Sequence, residues 1–208
     1  MPMNPDILFF DKIADTWDES EVLSLPPKVR YILSACDIRQ GHDVLDLGTG
    51  TGVLLPYIAE RTGSRGSITA IDFSEGMLSR ARAKYSSLTP PPRFLRSDFE
   101  EYPVEGRYDR IMLYCVYPHL RNPYATLRRL AADNLKPGGA IHIAFPCDES
   151  FINSIHKDKD SDADRLPSAS ELTLRLTAAG LPASTVEESP HAYIVRIDAP
   201  AGENAPAS

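Results

Sequence analysis

Three aspartates and two histidines in this sequence stand where their chemistry can be used. Asp46, Asp72 and Asp98 each close a short strand-like run, and Gly48, Gly50 and Gly52 follow the first, giving D-x-G-x-G-x-G. Glycine suits such a turn because a Cβ would block both the close approach of a ligand and a positive φ. Val44, Leu45 and Leu47 ahead of the turn read as a buried strand. Val53, Leu54, Leu55, Tyr57 and Ile58 behind it keep helical spacing. Strand, glycine turn and helix together present backbone N–H groups to a ligand. A dinucleotide turn would read G-x-G-x-x-G. The spacing here differs, and a carboxylate two residues before the first glycine is poorly placed for a pyrophosphate. It suits a ligand carrying an ammonium and a sulfonium. Asp72 ends the next apolar run, 20 residues beyond Gly52, where an acid can accept both hydroxyl protons of a ribose. Phe73 beside it can lie against a flat base. His119 and His156 are the candidate general bases, since imidazole has the unperturbed pKa nearest neutrality.

With these residues in register, the chain resembles the class I S-adenosylmethionine (SAM) dependent methyltransferases of small-molecule type. The likeness is strong over residues 40–145 and holds only in outline in the flanks. It implies an α/β three-layer sandwich: a mostly parallel, seven-stranded Rossmann-like sheet with an antiparallel last strand. It implies SAM as cofactor and S-adenosylhomocysteine as product, held by Asp46, Gly48, Thr49, Gly50 and Gly52 at the turn. Asp72, Phe73 and Met77 extend that set around the ribose. The resemblance assigns Asp98 to the adenine amino group, flanked by Ser97 and Phe99. Tyr108–His119 give the fourth strand and its loop, and in the family the residues just beyond this strand face the transferred methyl group. Tyr114, Tyr117 and His119 are therefore candidates there, Tyr114 on the cofactor and Tyr117 on the substrate. Leu135-Lys-Pro-Gly-Gly139 is a further family signature, a tight turn into a strand over 140–145.

The elements that must position these groups follow from punctuation and period. Eighteen prolines and twelve glycines in 208 residues mark many short elements, and that length suits one domain with an ample core. Pro26 and Pro27 open a helix through Ala35. Ser74-Glu75 caps a helix that turns Met77, Leu78 and Ala81 inward. A helix spans Pro123 to Asn134, and another carries Leu172, Leu174 and Leu176 and stops at Gly180. Ser184–Glu188 and His191–Ile197 form the closing antiparallel pair. The domain runs over 25–198. Residues 1–24 form a cap which in the family folds over the cofactor, with Trp17 facing substrate, and 199–208 form a disordered tail. Asn153 and His156, three apart, share a helical face over the pocket.

Composition narrows the partners. A formal charge of −7 argues against nucleic acid, which needs a Lys/Arg surplus. No stretch approaches the roughly 20 apolar residues of a membrane span, and no secretory signal is present. Cys36, Cys115 and Cys147 are odd in number and widely spaced, which suits a reducing cytoplasm. The run from Asp160 to Glu171 imitates a calcium loop, yet Arg165 replaces its required glycine, so no metal is expected. The expectation is a methyltransferase acting on a small molecule, as monomer or homodimer. The alternatives are a non-catalytic SAM-binding accessory protein and a dinucleotide-dependent oxidoreductase.

Overall fold

Strands buried on both faces read as continuous apolar runs instead of alternating ones, and several such runs build the centre of this protein. The computed structural model describes residues 11–12, 14, 26–155 and 165–200. Its elements are α1 (Pro26–Ala35), β1 (Asp43–Leu47), α2 (Leu55–Thr62), β2 (Ser67–Asp72), α3 (Glu75–Tyr85), β3 (Arg93–Arg96) and β4 (Tyr108–Tyr114). There follow α4 (Pro123–Arg129), β5 (Leu135–Phe145), α5 (Glu149–Ile155), α6 (Ala169–Ala178), β6 (Ala183–Ser189) and β7 (Ala192–Asp198). The strands form one seven-stranded sheet in the order β3-β2-β1-β4-β5-β7-β6. β3, β2, β1, β4 and β5 are parallel, and β7 runs antiparallel to both β5 and β6. The expected architecture is thus the one that forms.

Side-chain alternation on β4 shows how the layers are made. Ile111 and Leu113 face a buried cluster with Leu127 of α4 and Leu172 and Leu176 of α6. Met112 and Tyr114 face the opposite cluster, with Ile32 and Leu33 of α1 and Leu55 and Ile58 of α2. Each fully buried aliphatic side chain contributes about 1.5–3 kcal/mol, so the two apolar faces hold both helical layers in place. The amino edge of the sheet is closed by charge. Lys136 Nζ donates to Asp43 Oδ2 at 2.6 Å and Asp109 Oδ2 at 2.8 Å. Buried Arg110 donates to Asp37 Oδ2 at 2.6 Å and to the carbonyls of Cys36 and Asp37.

Several expectations shift in detail. β3 ends at Arg96, so Asp98 sits in the loop beyond it and not at the strand's last residue. The helix from Pro123 loosens into a wider π turn over Leu130–Asn134, at whose end Asn134 Nδ2 donates to the carbonyls of Val104 and Gly106. Leu174 is 71% exposed; the buried stripe of α6 follows the i, i+4 pair Leu172 and Leu176, which turns Leu174 outward. The Lys-Pro-Gly-Gly turn is an excursion within β5, between the pairs Tyr108–Leu135 and Arg110–Ala140. Ala199 N donates to Gly139 O at 2.9 Å, so the tail leaves the sheet only after that bond. Trp17, His156, all of the expected cap except Asp11, Lys12 and Ala14, and residues 201–208 lie outside the described residues.

Candidate active site

Open α/β sheets leave a crevice outside the carboxyl ends of their strands where the strand order reverses. Here the order reverses between β1 and β4, and the chain beyond those two ends carries the glycine turn and the Tyr117–His119 loop.

Gly48, Gly50 and Gly52 all adopt positive φ, at 67°, 55° and 86°. A Cβ on Gly48 would stand 2.6 Å from Val116 Cγ2, so the loop after β4 is packed directly on the turn. α2 begins only at Leu55, later than the sequence suggests. Three left-handed residues curl the chain before a helix can start, and several N–H groups of the turn are engaged locally. Gly50 N donates to Asp72 Oδ2 at 2.8 Å, Gly52 N to Thr49 O at 2.9 Å and Thr49 N to Ile71 O at 3.0 Å.

Asp46 is buried and accepts from Thr49 Oγ1 at 2.7 Å. Burial pushes its carboxyl up to about 7; the Thr49 hydroxyl works against this, and the charge of Asp72 adds to it. Asp72, also buried, accepts from Gly50 N and, at 2.9 Å, from Ser74 N. Desolvation lifts it to about 6 despite these backbone donors, and Asp11 adds repulsion. Two carboxyls raised together by burial form a cradle that favours a cation. Among the described residues no cluster of His, Cys, Asp and Glu could hold a metal.

Ser74 caps α3 by accepting from Met77 N at 3.1 Å, and Met77 is buried below. Asp11 reaches the same cap: its Oδ1 accepts from Ser74 Oγ and, at 3.0 Å, from Gly76 N. Asp11 thus touches the start of the helix that follows Asp72. Ser97 N donates to Asp72 O at 3.0 Å, which sets the loop of Ser97, Asp98 and buried Phe99 beside Asp72. Phe73 is half-buried next to them. Arg121 Nη2 donates to Asp98 Oδ2 at 2.7 Å. Sequence reasoning did not single out Asp11, Val116 or Arg121.

On the β4 side, Tyr114 is buried and its phenol is raised by that burial. Cys115 holds a left-handed φ of 58° while its N–H continues the ladder to Ala144 O at 2.9 Å. His119 ends the short 3₁₀ turn that begins at Tyr117, and its N–H donates to Val116 O at 2.9 Å. Tyr117 is buried and its phenol is raised by that burial, with Tyr124 adding to the rise. Asn153 directs its amide to one backbone unit, accepting from Leu166 N and donating to Leu166 O, both at 2.9 Å. The thiols of Cys115 and Cys147 are both raised by burial, the latter to about 11. They behave as small apolar groups.

The family described as a methyltransferase domain matches residues 44–139. Nocamycin O-methyltransferase of Saccharothrix syringae is 36% identical over 145 residues, covering 67% of this chain and 50% of that protein. The chain therefore spans about half the length of that curated relative. A SAM-dependent methyltransferase structure from Aquifex aeolicus matches with a TM-score of 0.71 at 26% identity, covering 91% of this chain and 98% of that one. The DhpI complex with SAM and HEP matches with a TM-score of 0.68 at 20% identity, covering 94% and 96%. That last likeness is one of fold alone.

Proposed function

We propose, for a chain that belongs to the class I SAM-dependent methyltransferases, transfer of a methyl group to a small-molecule acceptor. The observation that carries this reading is the pair of buried carboxyls, Asp46 and Asp72, on either side of a glycine turn. Such a pair fits a ligand with a cationic amino-acid end and a ribose. Asp46 with Gly48, Thr49, Gly50 and Gly52 would hold the former, and Asp72 with Phe73 and Met77 the latter. Ser97, Asp98 and Phe99 would meet the base, and Tyr114 would close the methyl side. SAM supplies an electrophilic methyl group on a sulfonium.

The chain's own work is alignment, which can remove about 7–11 kcal/mol of barrier. His119 takes the acceptor's proton where the nucleophile carries one, which helps typically by about 10²–10⁴-fold. Tyr117 remains a phenol under burial and serves as wall or donor to substrate. We assign Asn153 to holding α5 against Leu166, with one donor and one acceptor position left for substrate. The nocamycin enzyme's name supports an acceptor of small-molecule size. We also propose a cytoplasmic setting, consistent with three free thiols and with no nucleic acid as partner. No helix among the described residues is long and apolar enough to cross a membrane.

The test is calorimetry with S-adenosylhomocysteine and NAD, followed by label transfer from methyl-labelled SAM to a panel of phenols, alcohols and amines. Binding of S-adenosylhomocysteine at one site per chain, with label on at least one acceptor, is expected. Heat from NAD alone would overturn the reading.

A further inference from the structure

Arg121 lies in the loop after β4, where the substrate side is built, yet its side chain points back to the loop after β3. Its three guanidinium nitrogens meet three different carboxylates. Nη2 donates to Asp98 Oδ2 at 2.7 Å, Nε to Glu100 Oε2 at 3.2 Å and Nη1 to Glu101 Oε1 at 3.2 Å. Glu100 returns the grip, accepting from Arg121 N at 3.0 Å, Asn122 N at 2.9 Å and Thr126 Oγ1 at 3.2 Å. The carboxylate of Asp98 is therefore held at both oxygens, since its Oδ1 accepts from Glu100 N at 3.0 Å. Fixed this way, the carboxylate has little freedom to rotate. Its place is set as well: Ser97 N is bonded to Asp72 O, one strand further from the glycine turn along the sheet edge.

We infer that Arg121 is a positioning residue that aims the Asp98 carboxylate at the exocyclic amino group of a purine, and so makes the site select adenine over hypoxanthine. The inference rests on the cofactor reading above. An amino group donates to a carboxylate, whereas the carbonyl of hypoxanthine at the same position is an acceptor and is repelled. Selection of that kind is strong only when the acceptor cannot swing away, because a mobile carboxylate would turn to water. A guanidinium fork restrains a carboxylate in a way that an ammonium does not.

The experiment titrates the full chain with S-adenosylhomocysteine and with S-inosylhomocysteine, in which a carbonyl replaces the amino group. The native chain is expected to prefer the adenosyl compound by at least about tenfold. In Arg121→Gln that ratio should close to within about threefold, with the larger loss on the adenosyl side. A merely structural role would weaken both ligands alike and leave the ratio where it was; that result in the folded variant overturns the inference. Where the glutamine variant fails to fold, Arg121→Lys decides by the same ratio, because it keeps the charge and removes the fork. Failure of the native chain to bind S-adenosylhomocysteine removes the cofactor reading and this inference together. Binding with an unaltered ratio removes the inference alone.

Discussion

Replacing Asp46 by Asn should make the ligand-free protein more stable and a worse binder at once. The side chain is buried, so Asn keeps its volume, and its Oδ1 can still accept from Thr49 Oγ1. What changes is the ionisation. The carboxyl titrates at about 7 in the fold and at about 3.9 in the unfolded chain. Between those values the folded state binds more protons, so stability falls as pH rises through the window and levels off above it. Close to three decades of proton affinity correspond to about 4 kcal/mol, an upper figure because Asp72 titrates with it. Above pH 8, Asp46→Asn should therefore gain roughly 2–4 kcal/mol, a Tm higher by at least about 4 °C for a chain of this size. Near pH 4 the gain should vanish. On the proposed reading the same substitution removes the charge that would face a cationic ligand, and S-adenosylhomocysteine affinity should fall by about tenfold or more. Thermal melts of both proteins from pH 4 to 8.5, with calorimetry at pH 7.5, read both effects. A variant less stable than the native chain at pH 8 would refute the reasoning, since it would mean that the carboxylate is well solvated or paired in the fold.

Three further outcomes are expected. Asp72→Ala should lower S-adenosylhomocysteine affinity by at least about tenfold and also lower Tm, because Gly50 N and Ser74 N lose their acceptor; unchanged calorimetry in a folded variant would make the acid purely structural. His142 is fully buried on β5 with both ring nitrogens unpartnered, and burial lowers it to about 3. It stays neutral in the fold but charges in the unfolded chain, so stability is lost as pH falls below about 6.5. His142→Leu should raise stability by about 1–3 kcal/mol at pH 8 and by more at pH 5, as read by urea denaturation; a gain that is equal at both values would contradict the buried neutral ring. His119→Ala should slow methyl transfer by about 10²–10⁴-fold with S-adenosylhomocysteine affinity kept within about twofold, and loss of affinity in step with rate would place the ring on the cofactor instead.

What the sequence discloses and what it hides divide along chain distance. β1, the glycine turn, β2 and Asp72 were legible because each is a local pattern: an apolar run, a spacing of two, an acid at a run's end. The seven-stranded sheet with its antiparallel last strand followed from the family resemblance, while periodicity gave only the existence of strands. Arg121 and Asp98 are 23 residues apart, and Asp11 and Ser74 are 63 apart. Neither pair imprints a period on the residues between them, so no spacing argument finds it. Val116 is hidden for another reason. It reads as one more apolar residue, and only the approach of its methyls to Gly48 shows that the loop after β4 is packed on the turn. His142 lies inside the run Ala140–Phe145, where the surrounding aliphatic residues identify the strand and give no sign of a ring lacking partners.

Asp46 and Asp72, titrating at about 7 and about 6, together carry roughly half a proton at neutral pH. On the proposed reading, an ammonium laid against Asp46 expels that proton into solvent, which makes association a proton-releasing reaction. Its heat will then depend on which buffer takes up what is released, with Tris and phosphate giving different apparent enthalpies for the same event. The affinity will climb as the solution is made more alkaline and flatten once both carboxyls are bare. Acid works the other way: a modest drop in pH fills the cradle with protons and weakens its hold on a charged occupant.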